Sequence, residues 1–151
     1  MAEPTTALTD ALCAQLQEMN FVLLHTVDAD NGTPTASAIS WIYAVDASRL
    51  RLAIDARSRL VANLKTNPRA SVTIFGQDTV YSVSGTAAVF PEHLGGVPFP
   101  LACADIEIDA VRDAMYYGSR LSAPPEVAKT YDQRAADRLD AQVFDAMKKA
   151  Q

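Results

Sequence analysis

The sequence predicts a β-dominated α+β fold, in which a meander of five or six antiparallel strands closes toward a small barrel. Three observations support this: runs of β-forming residues follow one another across short turns, one short helical segment interrupts them, and longer helical patterns occur at the two ends of the chain. With 151 residues and 49% hydrophobic content, the chain is long enough for one core. We expect a single domain over residues 1–151, with its core at about 8–117 and a helical extension over 118–151.

The N-terminal elements are predicted to be a helix and a hairpin. Apolar residues at helical spacing indicate an amphipathic helix over residues 6–20. The apolar run 21–27 predicts a strand, and Asn31-Gly32 is a strong signal for a hairpin turn. The run 35–45 is rich in β-forming residues, so we expect one long second strand there.

A short helix is predicted between the next two strands. Residues 50–54 alternate in polarity, which is typical of a strand. Ser58 is a favourable N-cap for a helix over 59–66, and Asn67-Pro68 ends that helix because proline disfavours the helical conformation in the residue before it. A further apolar strand follows over 70–75.

The C-terminal half is predicted to add two strands, a loop and a helix. A hairpin joins 70–75 to 79–90, and Gly85 indicates a bulge or a close backbone approach. Residues 91–100 form a loop. The strand 104–111 carries alternating acidic residues, which we interpret as the solvated face of an edge strand, and a helical region is expected to begin at Ser122. The acidic residues are Asp105, Glu107 and Asp109.

The most informative stretch is residues 49–69, here called the basic segment, which holds six of the thirteen Lys and Arg residues. They are Arg49, Arg51, Arg57, Arg59, Lys65 and Arg69. Asp55 is the only acid among them, so the segment carries +5 in a chain of −5. The helix start at Ser58 offers backbone N–H groups and a partial positive charge to an anion, most naturally a phosphate. The alternative, weighed equally on spacing alone, is a capped surface helix with solvated arginines.

Composition excludes several classes of function. A net charge of −5 and a pI near 4.9 argue against nucleic-acid binding, which needs a broad basic face. The longest uncharged run is too short to span a bilayer and no signal peptide is present, so we expect neither membrane insertion nor secretion. Two widely separated cysteines, Cys13 and Cys103, suit the cytoplasm.

No set of residues for side-chain catalysis is apparent. The sequence contains no GxGxxG, GxxxxGK[ST], HExxH or GxSxG motif. We interpret His25 as a structural residue and His93 as an exposed loop residue, and we expect no metal site. Any chemistry is therefore expected to come from a bound cofactor, and the basic segment suits one that carries phosphate.

The segment Leu50 to Val72, with its serine–arginine pair, Asn-Leu dipeptide and Asn-Pro-Arg stop, resembles the pyridoxamine 5'-phosphate oxidase-like family of flavin-binding split barrels. Three other parts of the chain resemble the same family: the hairpin over 21–34, the strand over 35–43 and the stretch 82–88 with its internal glycine. The resemblance implies a six-stranded antiparallel split β-barrel with a short inserted helix and flanking N- and C-terminal helices. It further implies a homodimer that binds FMN at the subunit interface and works as an oxidoreductase with a small-molecule substrate.

The resemblance also assigns cofactor-binding residues. Ser58 and Arg59 match phosphate-binding positions, with Arg57 and Leu60 beside them, and two strand segments match positions along the flavin. Those segments are Ser37, Ala38, Ile39 and Ser40, and Ile54, Asp55 and Ala56. Four aromatic residues are candidates for packing on the flavin or at the dimer seam, or for ordinary core or interface positions: Trp41, Tyr43, Tyr116 and Tyr117. The loop 91–100 and the segment 116–125 are the expected contributors to a substrate pocket.

The chain departs from the oxidase itself at three places. Leu60 stands where the oxidase has a lysine, and Ser37 and Ile42 align with an arginine and a lysine that contact its cofactor. The basic C-terminal substrate motif is absent. We therefore do not expect pyridoxamine phosphate oxidation, and we suggest that Arg57 compensates for Leu60. The alternatives are a non-catalytic flavin- or phosphate-ligand-binding dimer with a stress-related or sensory role, or a binder of deazaflavin or haem.

Overall fold

The computed structural model describes residues 3–151, which form seven strands and three helices. The strands are β1 (Val22–Val27), β2 (Pro34–Ile39), β3 (Ile42–Asp46), β4 (Arg49–Asp55), β5 (Arg69–Phe75), β6 (Val80–Val89) and β7 (Leu101–Asp113). The helices are α1 (Asp10–Gln15), α2 (Arg59–Thr66) and α3 (Gln133–Lys149). None of the helices in this part of the chain is long and apolar enough to cross a membrane.

All seven strands belong to one antiparallel sheet in the order β2-β1-β5-β6-β7-β4-β3. The strands at its two edges, β2 and β3, are consecutive in the chain and are separated only by Ser40 and Trp41. Because the chain passes directly from one edge of the sheet to the other, the sheet curls into a split barrel. The β-dominated barrel prediction is therefore correct.

The number of strands differs from the six that were predicted, because the expected strand over 35–45 is two strands. Residues Pro34–Ile39 pair with β1, whereas Ile42–Asp46 pair with β4. A single straight strand cannot pair with both β1 and β4, which lie near opposite edges of the sheet. The chain therefore bends at Ser40-Trp41. The sequence pattern is uniformly strand-like there and does not reveal the bend.

Both terminal helices are shorter than predicted. Helix α1 begins after Thr9, whose side chain accepts a hydrogen bond from the Leu12 backbone, and it ends before Leu16. The Leu16 carbonyl instead accepts a bond from the backbone of Ala44, which draws the chain out of the helix. Helix α3 starts at Gln133, after its N-cap Asp132 and eleven residues later than the predicted start at Ser122. The prolines at 124 and 125 lie in irregular chain.

Two hydrophobic clusters hold the fold together. The larger fills the barrel and includes the inward side chains of β4, namely Leu50, Leu52 and Ile54. The smaller lies on the outer face of β3 and β4, where α3 packs Val143 and Met147 against them. Residues of β4 therefore alternate between the barrel interior and the layer beneath α3.

The strand β7 lies inside the sheet, between β6 and β4, so the edge-strand interpretation of 104–111 is wrong. Its acidic residues face arginines across the strand pair: Arg49 is opposite Glu107, and Arg51 is opposite Asp105. Gly85 lies at the predicted irregularity, since the β6–β7 register shifts between Ser84 and Gly85. A Cβ at residue 85 would collide with the backbone carbonyl of Glu107, so the backbones approach too closely for a side chain.

Candidate functional site

The start of α2 has the geometry that the sequence predicts. Ser58 is the N-cap, and its Oγ accepts a hydrogen bond from the backbone N–H of Leu60 at 3.1 Å. The hydroxyl hydrogen remains available for donation to a ligand. The helix spans Arg59–Thr66 and ends at Asn67, as predicted from the serine cap and the proline stop. This end of the helix offers N–H groups and a partial positive charge.

Arg59 is bound to the tip of the first hairpin. Its Nη2 lies 2.8 Å from Asp28 Oδ2 and 3.2 Å from Asp30 Oδ2. The other oxygen of Asp28 accepts hydrogen bonds from the backbone N–H groups of Asp30 and Asn31, at 2.9 and 3.1 Å. These bonds, with the one from Arg59 foremost, hold the pKa of Asp28 below its ordinary value. Arg59 therefore has a fixed carboxylate partner, although its side chain is 63% exposed.

Arg57 has an internal partner as well. Its Nε and Nη2 donate to the two carboxylate oxygens of Asp55, at 3.1 and 3.0 Å. The pKa of Asp55 is lowered to about 2, chiefly by the side-chain hydrogen bond from Arg57. Leu60 packs on the barrel core, so it adds no polar group at the helix start. Arg57 is the residue suggested to compensate for Leu60, which stands where the oxidase has a lysine. The charge of Arg57 is already balanced by Asp55.

Asn63 fixes α2 to the hairpin. It is buried, its Nδ2 donates to Thr26 Oγ1 at 3.0 Å, and its Oδ1 accepts from the backbone N–H of Ala29 at 2.9 Å. Thr26 Oγ1 lies in turn 2.9 Å from Thr35 Oγ1. This chain of hydrogen bonds positions the helix start against residues 28–30, next to the predicted hairpin turn at Asn31-Gly32.

Most of the basic segment is neutralised in space. Arg49 pairs with Glu107, Arg51 with Asp105, and Arg69 with Asp109. Among residues 3–151, Lys65 is the one cation of the segment with no carboxylate within 4.0 Å. The +5 charge counted along the sequence therefore does not persist as a positive surface, because carboxylates distant in sequence lie next to the arginines.

Arg51 serves α3 rather than the helix start. The buried guanidinium forms two hydrogen bonds with Asp105, and its Nη1 donates to the carbonyls of Met147 and Ala150 at 3.0 and 2.8 Å. Phe90 lies over the guanidinium, 5.1 Å from ring centroid to Cζ. Arg51 thus caps the C-terminal end of α3 and holds it on the outer face of β4.

The remaining predicted site residues form two segments that meet near Trp41. Ser37, Ala38 and Ile39 lie on the edge strand β2, with Ser40 directly after it, and Ile54, Asp55 and Ala56 lie at the end of β4. The Trp41 carbonyl accepts a hydrogen bond from the backbone N–H of Ala53 at 3.0 Å, which joins the two segments. Ile42, aligned with a cofactor-contacting lysine of the oxidase, is fully buried in the core.

The two segments are connected at both ends, and the surface between them is here called the corner surface. One border runs from Ala53 along the end of β4 to Arg59. The other runs from Trp41 back along β2 to the hairpin tip, where Asp28 meets Arg59. A six-residue strand is about 20 Å long, so the surface suits an elongated ligand.

The candidate aromatic residues separate into two groups. Trp41 and Tyr43 lie beneath α3: Trp41 Nε1 donates to Asp140 Oδ1 at 2.8 Å, and Tyr43 is buried. Tyr116 and Tyr117 are exposed and border a cleft of about 680 Å³ with Asp113. Tyr116 and Tyr117 therefore remain available to a partner or ligand, whereas the other two are part of the packing.

Five clefts of about 300–680 Å³ are lined by other residues, and none includes a residue of the basic segment or of Ser37–Ser40. The two histidines are also elsewhere: His25 Nε2 is 2.7 Å from Thr73 Oγ1, and His93 is exposed in its loop. No group of three metal-ligating side chains occurs in the described part of the chain.

Sequence reasoning missed Asp28, Asp30 and Asn63 as components of the site. The contact of residue 59 with residue 28 spans 31 positions, so no local pattern reports it. The Asn-Leu dipeptide of α2 was part of the family resemblance, which is the only signal that singled out Asn63.

Comparisons with known proteins agree on the family and the fold. The pyridoxamine 5'-phosphate oxidase family model matches residues 8–108. The structure of a putative pyridoxamine 5'-phosphate oxidase from Lactobacillus delbrueckii is similar, with a TM-score of 0.61 and 23% identity over 72% of this chain and 95% of that one. None of the curated proteins compared matches the chain.

Two further solved structures share the fold at lower identity. An FMN-binding protein from Syntrophomonas wolfei has a TM-score of 0.55 and 18% identity over 70% of this chain and 83% of that one. An F420 reductase has a TM-score of 0.57 and 17% identity over 70% of this chain and 98% of that one. The family match ends at residue 108, so α3 lies outside it.

Proposed function

Because the chain belongs to the pyridoxamine 5'-phosphate oxidase family, we propose that it binds FMN along the corner surface and works as a flavin-dependent oxidoreductase. The observation that carries the proposal is that the two segments are joined at both ends, by the hydrogen bond from Ala53 to Trp41 and by the ion pair of Arg59 with Asp28. An FMN-binding protein with the same fold supports it. A bound flavin supplies hydride or electron transfer.

The chain's own residues would hold the two ends of the cofactor. At the phosphate end, Ser58 has a hydroxyl hydrogen to donate, and Arg59 has guanidinium N–H groups beyond the Nη2 that meets the carboxylates. Toward Trp41, the backbones of Ser37–Ser40 and Ile54–Ala56 would flank the ring system. The protein would thus supply position and electrostatics, since the corner surface contains no evident acid–base pair.

We also propose that the working form is a homodimer with the cofactor at the subunit interface. Cofactor sites are usually concave, and none of the five clefts described above is lined by residues of the corner surface. A second copy would close it and exclude water. We propose that the protein works in the reducing cytoplasm, because both of its cysteines are free thiols. Burial raises the pKa of the Cys103 thiol to about 11, so this thiol is protonated at neutral pH.

Pyridoxamine phosphate oxidation itself is not proposed. Leu60 and Ile42, aligned with cofactor-contacting lysines of the oxidase, both pack on the barrel core and cannot replace those charges. A deazaflavin is the second candidate cofactor, because an F420 reductase shares the fold. Haem is the weakest of the alternatives, because His25 Nε2 lies against Thr73 Oγ1 and His93 is exposed in its loop, so the two histidines do not form a ligand pair.

A titration of apo protein with FMN tests the proposal, with the fluorescence of Trp41, the single tryptophan, as the readout. We expect saturable quenching, and we expect Arg59→Ala to weaken FMN binding about tenfold because a charged hydrogen-bond partner of the phosphate is lost. Arg69→Ala removes another arginine of the basic segment, one that pairs with Asp109, and should leave the affinity unchanged.

Absence of FMN binding, or equal weakening by the two variants, would contradict the proposal. Reduction of the bound flavin by a nicotinamide nucleotide separates an oxidoreductase from a non-catalytic flavin-binding dimer. We expect reduction of the wild-type complex, and a flavin that stays oxidised favours the non-catalytic, stress-related or sensory role.

A further inference from the structure

The charged side chains at the start of α2 do not carry a net positive charge. Two arginines lie there, Arg57 and Arg59, and three carboxylates contact them, Asp28, Asp30 and Asp55. With all five ionised the cluster carries −1. Lys65, at the other end of α2, does not join any of these ion pairs. The local electrostatics therefore differ from those implied by the +5 of the basic segment.

The partner of Arg59 is held firmly in place. Asp28 is 14% exposed, and its Oδ1 is committed to two backbone N–H groups of the hairpin turn. Its carboxylate cannot turn away from Arg59 without breaking that turn. Asp30 is different, because its side chain is 80% exposed and its contact with Arg59 is longer, at 3.2 Å. One fixed and one adaptable carboxylate thus compete with any anion for the same guanidinium.

A phosphate monoester carries close to two negative charges at neutral pH, whereas a phosphodiester carries one. A doubly charged group bonded to Arg59 would lie within a few ångströms of Asp28 and Asp30, and like charges at such distances repel one another. A singly charged or uncharged tail on the same flavin ring would meet less repulsion. The cluster thus disfavours the ligand charge that a conventional phosphate site selects.

We propose that Asp28 and Asp30 are specificity-determining residues of the flavin site, supplying the counter-charge of Arg59 from within the chain. The inference rests on the proposed function and deepens it. The site then takes flavins whose tail carries no charge or one charge nearly as well as FMN, and the phosphate monoester adds little to affinity. Arg59 still matters for FMN, because its removal leaves the carboxylates unopposed.

The test measures dissociation constants of FMN and riboflavin for the full-length protein and for Asp30→Asn and Asp28→Asn/Asp30→Asn. Asparagine at 28 keeps an oxygen for the turn, and the two variants change the cluster charge from −1 to 0 and +1. We expect wild type to prefer FMN over riboflavin by less than about tenfold, and the double variant to raise that preference by about another tenfold. Asp30→Asn, at an exposed position, should give about a threefold increase even if the double variant fails to fold.

The matched control is Asp78→Asn, which makes the same change in net charge in the exposed β5–β6 turn. It should leave the FMN preference unchanged. If FMN binds and the preference for it does not rise in Asp30→Asn or in the double variant, the inference is wrong while the proposed function stands. If wild type already prefers FMN over riboflavin by about a thousandfold, the inference is again wrong. If neither compound binds any variant, the proposed function itself fails.

Discussion

At the scale of single residues, one buried amide fixes the position of the candidate site. Asn63 is almost completely buried, and both ends of its amide are hydrogen-bonded to the first hairpin. Because Ser58 and Arg59 are on the same short helix, Asn63 also fixes their position against Asp28. The helix start is therefore held by the hairpin as well as by its own cap.

Among the glycines, Gly85 is the one at which an added side chain would meet the closest backbone contact. We expect Gly85→Ala to lower the free energy of unfolding by about 1–3 kcal/mol, because the new methyl group would meet the Glu107 backbone carbonyl across the β6–β7 pair. Urea denaturation measures the change. Gly95→Ala is the matched control, since nothing lies within 4 Å of a Cβ there, and it should change stability by less than about 0.5 kcal/mol. Equal effects of the two substitutions would contradict the close approach.

The charges of the site could not be predicted residue by residue from the sequence. The basic segment was visible as a run of arginines, but each partner except Asp55 lies at least 29 positions away. A linear window counts the arginines and omits these carboxylates. Ser58, by contrast, caps the residue two positions on, so its role was predictable from local pattern.

At the scale of elements, the predictions succeeded where local chemistry sets the boundaries. Helix α2 begins after its serine cap and ends before its proline stop, both of which act within a few residues. The bend between β2 and β3 depends instead on which strands each half pairs with. The β-forming pattern of a sequence does not show which strands pair over long distances, so six strands were predicted where the structure has seven.

Helix α3 depends on Arg51. Arg51→Met should lower the free energy of unfolding by about 3–5 kcal/mol, because Asp105 would be left largely buried and without its bidentate partner. Arg49→Met removes a neighbouring arginine whose side chain is 42% exposed, so the expected loss is below about 1 kcal/mol. Chemical denaturation of both variants measures the difference. Similar losses would show that Arg51 does not anchor the helix.

At the scale of the whole molecule, barrel closure creates the corner surface. The chain leaves one edge of the sheet after Ile39 and enters the other at Ile42, and the Trp41 carbonyl between these strands accepts a hydrogen bond from Ala53 of β4. The sequence predicted both borders through family resemblance, but it did not reveal that they meet through Trp41 and Ala53. None of the five clefts described above is lined by residues of this surface, and we propose that a second copy completes the site.

Sedimentation velocity with FMN, recorded at protein and flavin wavelengths together, tests the central claim most directly. We predict that the flavin signal sediments with a species of about 32 kDa, twice the 16.2 kDa of one chain, and that it does so with about one flavin per chain. Protein that sediments as a 16.2 kDa monomer, with the flavin left behind as a free small molecule, would contradict the claim.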